Sequence, residues 1–197
     1  PRAPDADLTP PPGRPLDDPF IDHPKGQSRV PHEGAKHNQL GATAAPIDNI
    51  EVLSGMPLSK LNLFGTNVKD IRALEGAPLQ EVWLNETPVE DISPLAKCPL
   101  VTLTLHRTPV TDISPLANHT TLQRLHIGET EITDLTPLKN NRLMRLIFTP
   151  SKITKGIPEI RANMTTLREL GTEFETKMNP VEFWRQYDAG AFSTTTP

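Results

Sequence analysis

Between Leu58 and Leu143 the chain writes one pattern four times and then a worn fifth copy. Aligned on the first leucine, the copies start at Leu58, Leu79, Leu100, Leu122 and Leu143, at spacings of 21, 21, 22 and 21 residues. The second strong position holds Leu61, Val82, Leu103 and Leu125, and the third holds Leu63, Leu84, Leu105 and Ile127. Further along each copy come a threonine (Thr66, Thr87, Thr108, Thr130) and an apolar residue (Val68, Val89, Val110, Ile132). An aspartate follows (Asp70, Asp91, Asp112, Asp134), with two more apolar residues behind it, such as Ile71 and Leu74. A period in the twenties that holds this many positions in phase means one supersecondary unit repeated and stacked.

Each unit opens with apolar residues two apart, Leu61 and Leu63 in the first, which is the period of a strand with one buried face. A turn at Gly65-Thr66 follows. The stretch Asp91-Ile92-Ser93-Pro94-Leu95 returns at Asp112 and Asp134. Aspartate caps a first turn by accepting from its orphan N–H groups. Proline tolerates that turn because its missing N–H matters least there. So short a stretch predicts a 3₁₀ turn or one loose helical turn. One coil cannot bury its own leucines, whereas stacked coils bury them in a continuous core.

The Thr-x-Val-x-Asp-Ile-Ser-Pro-Leu half-repeat resembles the internalin-like subclass of leucine-rich repeats, and is similar to short repeat segments of planctomycete-type bacteria. The ending from Asn179 to Phe192 is similar to the ending of those segments. The resemblance covers roughly Ile47 to Phe192. It implies an α/β repeat fold: a short right-handed leucine-rich-repeat solenoid of about five 21–22-residue coils, with a parallel β-sheet on the concave face and 3₁₀ turns on the convex face. Segments of this kind stand alone or behind Ser/Thr kinase domains.

The ends depart from the pattern. Nine of the 22 prolines lie in the first 31 residues, with few large apolar residues and no helix or strand period. Residues 1–45 are therefore expected to form an extended Pro-rich arm. The repeat domain is expected over 46–171, with Ile47, Ile50 and Leu53 as a capping half-repeat at its start. The fifth copy keeps Leu143, Leu146, Phe148, Ser151 and Ile153 but has Lys155 where Asp is due. Leu167 and Leu170 start a last partial strand. Residues 172–197 are expected to hold a C-terminal helical cap, with Asn179 as N-cap, Pro180 at N1, Glu182 at N3, and Phe183, Trp184 and Tyr187 on its apolar side.

Function follows from the concave face. The residues that alternate with the buried ones there include Phe64, Trp83, Thr104, His106, Arg124, His126, Arg145 and Ile147. Nothing within a coil buries Phe64, Trp83 or Ile147, and Trp and Arg are favoured anchors of interfaces. In the arm, Leu8, Leu16, Phe20 and Ile21 supply apolar contacts. The expectation is a non-catalytic protein–protein interaction protein, an accessory or scaffolding subunit that docks on a larger multi-subunit assembly through its arm and concave face. A sensing or targeting module of a kinase-associated bacterial signalling protein is the alternative.

Other classes fit poorly. A net charge of −4 is wrong for a general nucleic-acid binder. The sequence holds no run of 18 apolar residues, the length needed to span a bilayer, so no membrane span is expected. The single cysteine, Cys98, excludes a disulfide framework, and its slot, shared with Ala77 and His119, lies outside the apolar anchor set. The motifs G-x-S-x-G and H-E-x-x-H, a P-loop and a dinucleotide fingerprint are all missing, so no catalytic site and no cofactor are expected. His106 and His126 lack a third ligand in their columns, and each column aspartate is accounted for as a turn cap, so no metal is expected either. The expected location is extracytoplasmic, in the periplasm or on the cell surface, rather than cytoplasmic.

Overall fold

A computed structural model describes residues 38–163 and 165–193. Seven short strands form one parallel sheet in sequence order: β1 (Gln39–Gly41), β2 (Lys60–Asn62), β3 (Glu81–Trp83), β4 (Thr102–Thr104), β5 (Arg124–Ile127), β6 (Arg145–Phe148) and β7 (Glu169–Gly171). The register is the one the repeat dictates: Leu61 faces Val82, Val82 faces Leu103, Leu103 faces Leu125, and Leu125 faces Leu146. Behind the sheet run 3₁₀ turns at Glu51–Leu53, Arg72–Leu74, Ser93–Leu95, Ser114–Leu116 and Thr136–Asn140. This is a leucine-rich-repeat solenoid.

The aspartate column explains why each back turn starts where it does. Oδ1 of Asp70, Asp91, Asp112 and Asp134 accepts the N–H two residues on, at 2.9, 2.7, 2.7 and 2.7 Å. Each aspartate thus stands one place before the residue that enters the turn, and ties the turn through its side chain. The threonine column does the complementary task on the other side. Thr66, Thr87, Thr108 and Thr130 are buried, and their hydroxyls donate at 2.7–2.8 Å to the carbonyls of Leu63, Leu84, Leu105 and Ile127. A buried hydroxyl satisfied within its own coil lets the turn sit against the core without a desolvation loss.

Two features depart from the expected layout. The sheet begins at Gln39, inside the stretch read as arm, because Leu40 pairs with Leu61 and takes its anchor slot. Ile50 and Leu53 are buried as expected, so the first unit is a whole coil with a strand rather than a half-repeat. The slot of Ala77, Cys98 and His119 is also buried throughout, and so is Asn141, which continues it. It is an inward position after all. There the Nδ2 of Asn141 donates to Leu116 O at 3.1 Å, and Cys98 Sγ lies 3.7 Å from Leu74 O. Burial pushes the Cys98 thiol up and the His119 imidazole down from their ordinary values.

At the C-terminus the worn fifth copy turns into a helix, α1 (Ile157–Asn163), before β7. Helix α2 (Pro180–Asp188) closes the stack, and Asn179 Oδ1 accepts from Glu182 N at 3.0 Å. Phe183 is fully buried between Phe148 (ring centroids 5.5 Å) and Phe192 (4.8 Å). Arg161 of α1 pairs with Asp188 of α2 at 2.6 Å and lies over the Trp184 ring.

Candidate functional site

The concave face is a grid. Each strand presents an outward residue at its start and another two places on, so Lys60, Glu81, Thr102, Arg124 and Arg145 form one column and Asn62, Trp83, Thr104, His126 and Ile147 the next. A third column just beyond the strand ends holds Phe64, Asn85, His106 and Gly128. The strands therefore place six of the eight anticipated residues on one surface, and the third column adds Phe64 and His106, the latter beside His126 with the rings 4.8 Å apart.

The eight are not equally available. Phe64, Trp83, Thr104, His106 and Arg145 are half-buried, and Arg124 is exposed. Ile147, which nothing within its own coil buries, is fully covered, and His126 is only 9% exposed, so these two of the anticipated contact residues are not open to a partner. The cover is the loop of residues 172–178. Leu170 and Met178 exchange backbone hydrogen bonds at 2.9 and 2.8 Å, so the chain turns back after β7 and lies across the end of the face. A Cβ on Gly128 would meet Thr172 O at 3.2 Å, which shows how closely the loop approaches the sheet there. Phe174 stands up from this loop, 51% exposed, with the guanidinium of Arg145 and the ammonium of Lys177 on its ring, 5.6 and 3.8 Å from the centroid. Sequence reasoning missed Phe174. It lies outside the repeat, and no periodicity points to it.

Phe174 forms one wall of a shallow cavity of about 220 Å³, whose floor and other wall include Trp83, Thr104, Arg124, His126 and Arg145. The groove is apolar in the middle, and its edge carries Glu81 as well as Arg124 and Arg145. Arg145 pairs with Glu169, while Arg124 has no ion-pair partner among the described residues. Within the groove, Thr104 Oγ1 and His126 Nε2 are buried and meet no hydrogen-bonding partner among the described residues. His126 is pushed down to about 4 by burial first and by its neighbour His106 second. His106 itself is tied to Gly128 O through Nδ1 at 3.1 Å.

The rim next to His106 is built differently. Glu86, Arg107 and Glu129 sit at successive turn positions with left-handed backbones, φ 56°, 54° and 53°. Non-glycine residues there cost roughly 1–2 kcal/mol each. Their side chains make a ladder, Arg107 bridging Glu129 at 2.8 Å and Glu86 at 3.2 Å, and the Arg107 hydrogen bond holds the Glu129 carboxyl below its ordinary value. No group of three His, Cys, Asp or Glu side chains among the described residues can hold a metal ion. No helix among them is long and apolar enough to cross a membrane. The anticipated arm contacts, Leu8, Leu16, Phe20 and Ile21, lie outside the described residues.

A parallel concave sheet, 3₁₀ backs and an Asp-Ile-Ser-Pro-Leu turn define a leucine-rich-repeat protein of the internalin-like type. The solved structures agree. The chain matches the crystal structure of an internalin (inlF) from Listeria monocytogenes with 30% identity and a TM-score of 0.59, over 67% of this chain and 39% of that one. It matches an internalin C2 (inlC2) from the same organism with 27% identity and a TM-score of 0.59, over 68% of this chain and 60% of that one. The chain thus spans less than two thirds of either neighbour. No family model matches the sequence, and no curated protein does. The fold and its neighbours mark a protein–protein interaction module.

Proposed function

We propose that the chain is a non-catalytic accessory or scaffolding subunit that docks on a larger assembly through its concave face and its arm. The observation that carries this is Trp83. It stands half-buried on the concave face and lines one groove with exposed Arg124 and with Phe174, so an aromatic anchor and a cation share that groove. Centrally placed aromatic and Arg anchors are where interfaces concentrate their affinity. The seven strands give a face only ~29 Å wide, so a second contact supplied by the arm enlarges the interface.

The test is capture from the native source with full-length chains, because β1 begins at Gln39 and a truncation to Ile47 would strip the first strand. Trp83→Ala and Arg124→Glu are set against Phe20→Ala with Ile21→Ala. A defined partner set held by the unaltered chain and lost in both variants supports a subunit that uses face and arm together. Loss in only one assigns docking to that surface.

A second reading, a sensing or targeting module of a signalling protein, draws on the short span of the chain against its structural neighbours. Gel filtration of the natively expressed protein separates the two. A subunit elutes stoichiometrically with its partners, and a module elutes alone or joined to its own signalling domain.

A further inference from the structure

We propose that the 172–178 loop is a proton-operated cover: charging His126 lifts it off the concave face and adds Ile147 to the contact surface. The inference rests on the concave face being the contact surface and goes beyond it by naming what regulates that surface. The cover is hinged but not latched. Its base is closed by the paired backbone hydrogen bonds of Leu170 and Met178, at 2.9 and 2.8 Å. Above the base, every hydrogen bond of residues 172–177 among the described residues is internal to the loop. Thr172 Oγ1 meets Thr176 Oγ1 at 3.3 Å, and Glu173 N donates to Thr176 Oγ1 at 3.3 Å. No ion pair among the described residues ties Glu173, Glu175 or Lys177 to the sheet. Lys177 lays its ammonium on Phe174 of the same loop, 3.8 Å from the ring centroid. Contact with the sheet is packing, together with the Arg145 guanidinium 5.6 Å from that centroid. A segment held by so few polar contacts opens locally while the rest of the fold stays closed.

Beneath the cover lies a group that resists charge. His126 Nε2 is buried and meets no hydrogen-bonding partner among the described residues. Gly128 leaves a space where a Cβ would meet this nitrogen at 3.0 Å, Thr172 O at 3.2 Å and His106 Nδ1 at 3.4 Å. Loop backbone and both imidazoles thus converge on one point. A proton added to His126 there makes a cation without water and without an acceptor. The groups that face it set the sign. His106, its ring 4.8 Å away, and Lys177 of the loop oppose the charge. Glu129, in the turn after β5, favours it, but Arg107 already binds that carboxylate at 2.8 Å. Thr104 and Ile147, the neighbours of His126 on β4 and β6, carry no charge. Arg124 and Arg145 stand one column away, and Glu173 and Glu175 are exposed to solvent. Lifting the loop brings water to the imidazolium and carries Lys177 away, so a proton favours the open state.

Linkage gives the size of the effect. Under the closed loop His126 sits at about 4, and open to water it returns to its ordinary 6.5. The open state binds a proton that the closed state refuses, so the open-to-closed ratio rises as pH falls from 6.5 toward 4. From pH 7.5 to pH 5 the rise is roughly 30-fold. Ile147, fully buried under the loop, is then uncovered in the same column as Trp83.

The test uses the full chain with isotope-labelled isoleucine methyls and an inert, neutral gadolinium chelate, which broadens solvent-exposed signals at any pH. Between pH 7.5 and pH 5 the broadening of the Ile147 methyl should grow severalfold. The methyls of Ile113 and Ile132, buried in the core, should not change. In His126→Gln the Ile147 methyl should stay covered at both pH values. In the unaltered chain the His126 ring signals should titrate with the same midpoint as the exposure of Ile147, a comparison that stands even where the variant fails to fold. An Ile147 methyl that stays covered at pH 5 overturns the proposal. So does exposure that survives His126→Gln, exposure with a midpoint different from the ring's, or exposure shared by Ile113 and Ile132, which is general loosening. None of these readouts involves a partner, so failure here leaves the docking reading to its own capture experiment.

Discussion

His126 is the residue whose chemistry the fold changes most. Its imidazole has an ordinary value of 6.5 and sits at about 4 in the folded chain, pushed down by burial and by His106. The unfolded chain therefore binds a proton that the folded chain refuses between those values. Stability is whole above pH 6.5 and falls as the pH drops toward 4, by up to about 3 kcal/mol from this group. His119, also lowered by burial, adds a loss in the same direction. Urea melts between pH 7 and pH 4 should show this decline, and His126→Gln should flatten part of it; an unchanged slope in that variant refutes the assignment. The threonine column offers a second residue-scale expectation. Thr108 hands its hydroxyl to Leu105 O at 2.7 Å in a buried site, so Thr108→Val should cost about 1 kcal/mol in the same melts. The Thr and Asp columns were legible in the sequence because four copies repeat them in phase. The buried slot of Ala77, Cys98, His119 and Asn141 was not, because four unlike side chains share no apolar signature.

At the scale of the coil, the repeat itself carries the information. Every strand and back turn from β2 to β6 follows from leucine spacing, since a parallel stack forces identical positions into register. Where the pattern thins, the elements become harder to read. β1 has Leu40 on an anchor slot but only Ala42 on the next, too little apolar character to announce a strand. Helix α1 replaces the back turn of the fifth coil, and Gly156 is the joint that permits it. Its φ is +92°, and a Cβ there would lie 2.5 Å from Thr136 N and 2.6 Å from Leu135 C. Gly156→Ala should destabilise by roughly 1–3 kcal/mol from conformation alone, with the overlap added. Thermal melts of that variant beside Gly55→Ala, whose Cβ would meet nothing within 4 Å, separate overlap from conformation. Equal losses in the two would mean that the close approach to the fourth coil does not matter.

The molecule as a whole is a one-dimensional stack with a hinge of function at its C-terminal end. Each coil contacts only its neighbours, so a fully buried middle anchor such as Leu103 should lose ~2–5 kcal/mol on change to Ala and loosen both halves. The cap behaves differently, because it reaches the functional face. Phe183 packs on Phe148 of the fifth coil, α2 begins two residues after Met178, and Met178 bonds to Leu170 to fold the 172–178 loop over Ile147 and His126. Packing at the end of the stack and burial on the concave face are thus one unit. None of that chain of contacts is periodic, which is why the repeat pattern exposed Ile147 on paper while the fold hides it. Phe183→Ala should therefore do two things at once. Hydrogen exchange should quicken first in β6, β7 and α2, leaving β3 and β4 protected. The imidazole of His126 should climb from about 4 toward its ordinary 6.5 as the loop lifts. Exchange mass spectrometry and an NMR titration of the histidines read the two effects separately. A cap that frays while His126 stays where it was would show that the loop holds to the sheet by its own contacts, through Phe174 and Arg145, and that the cap serves stability alone.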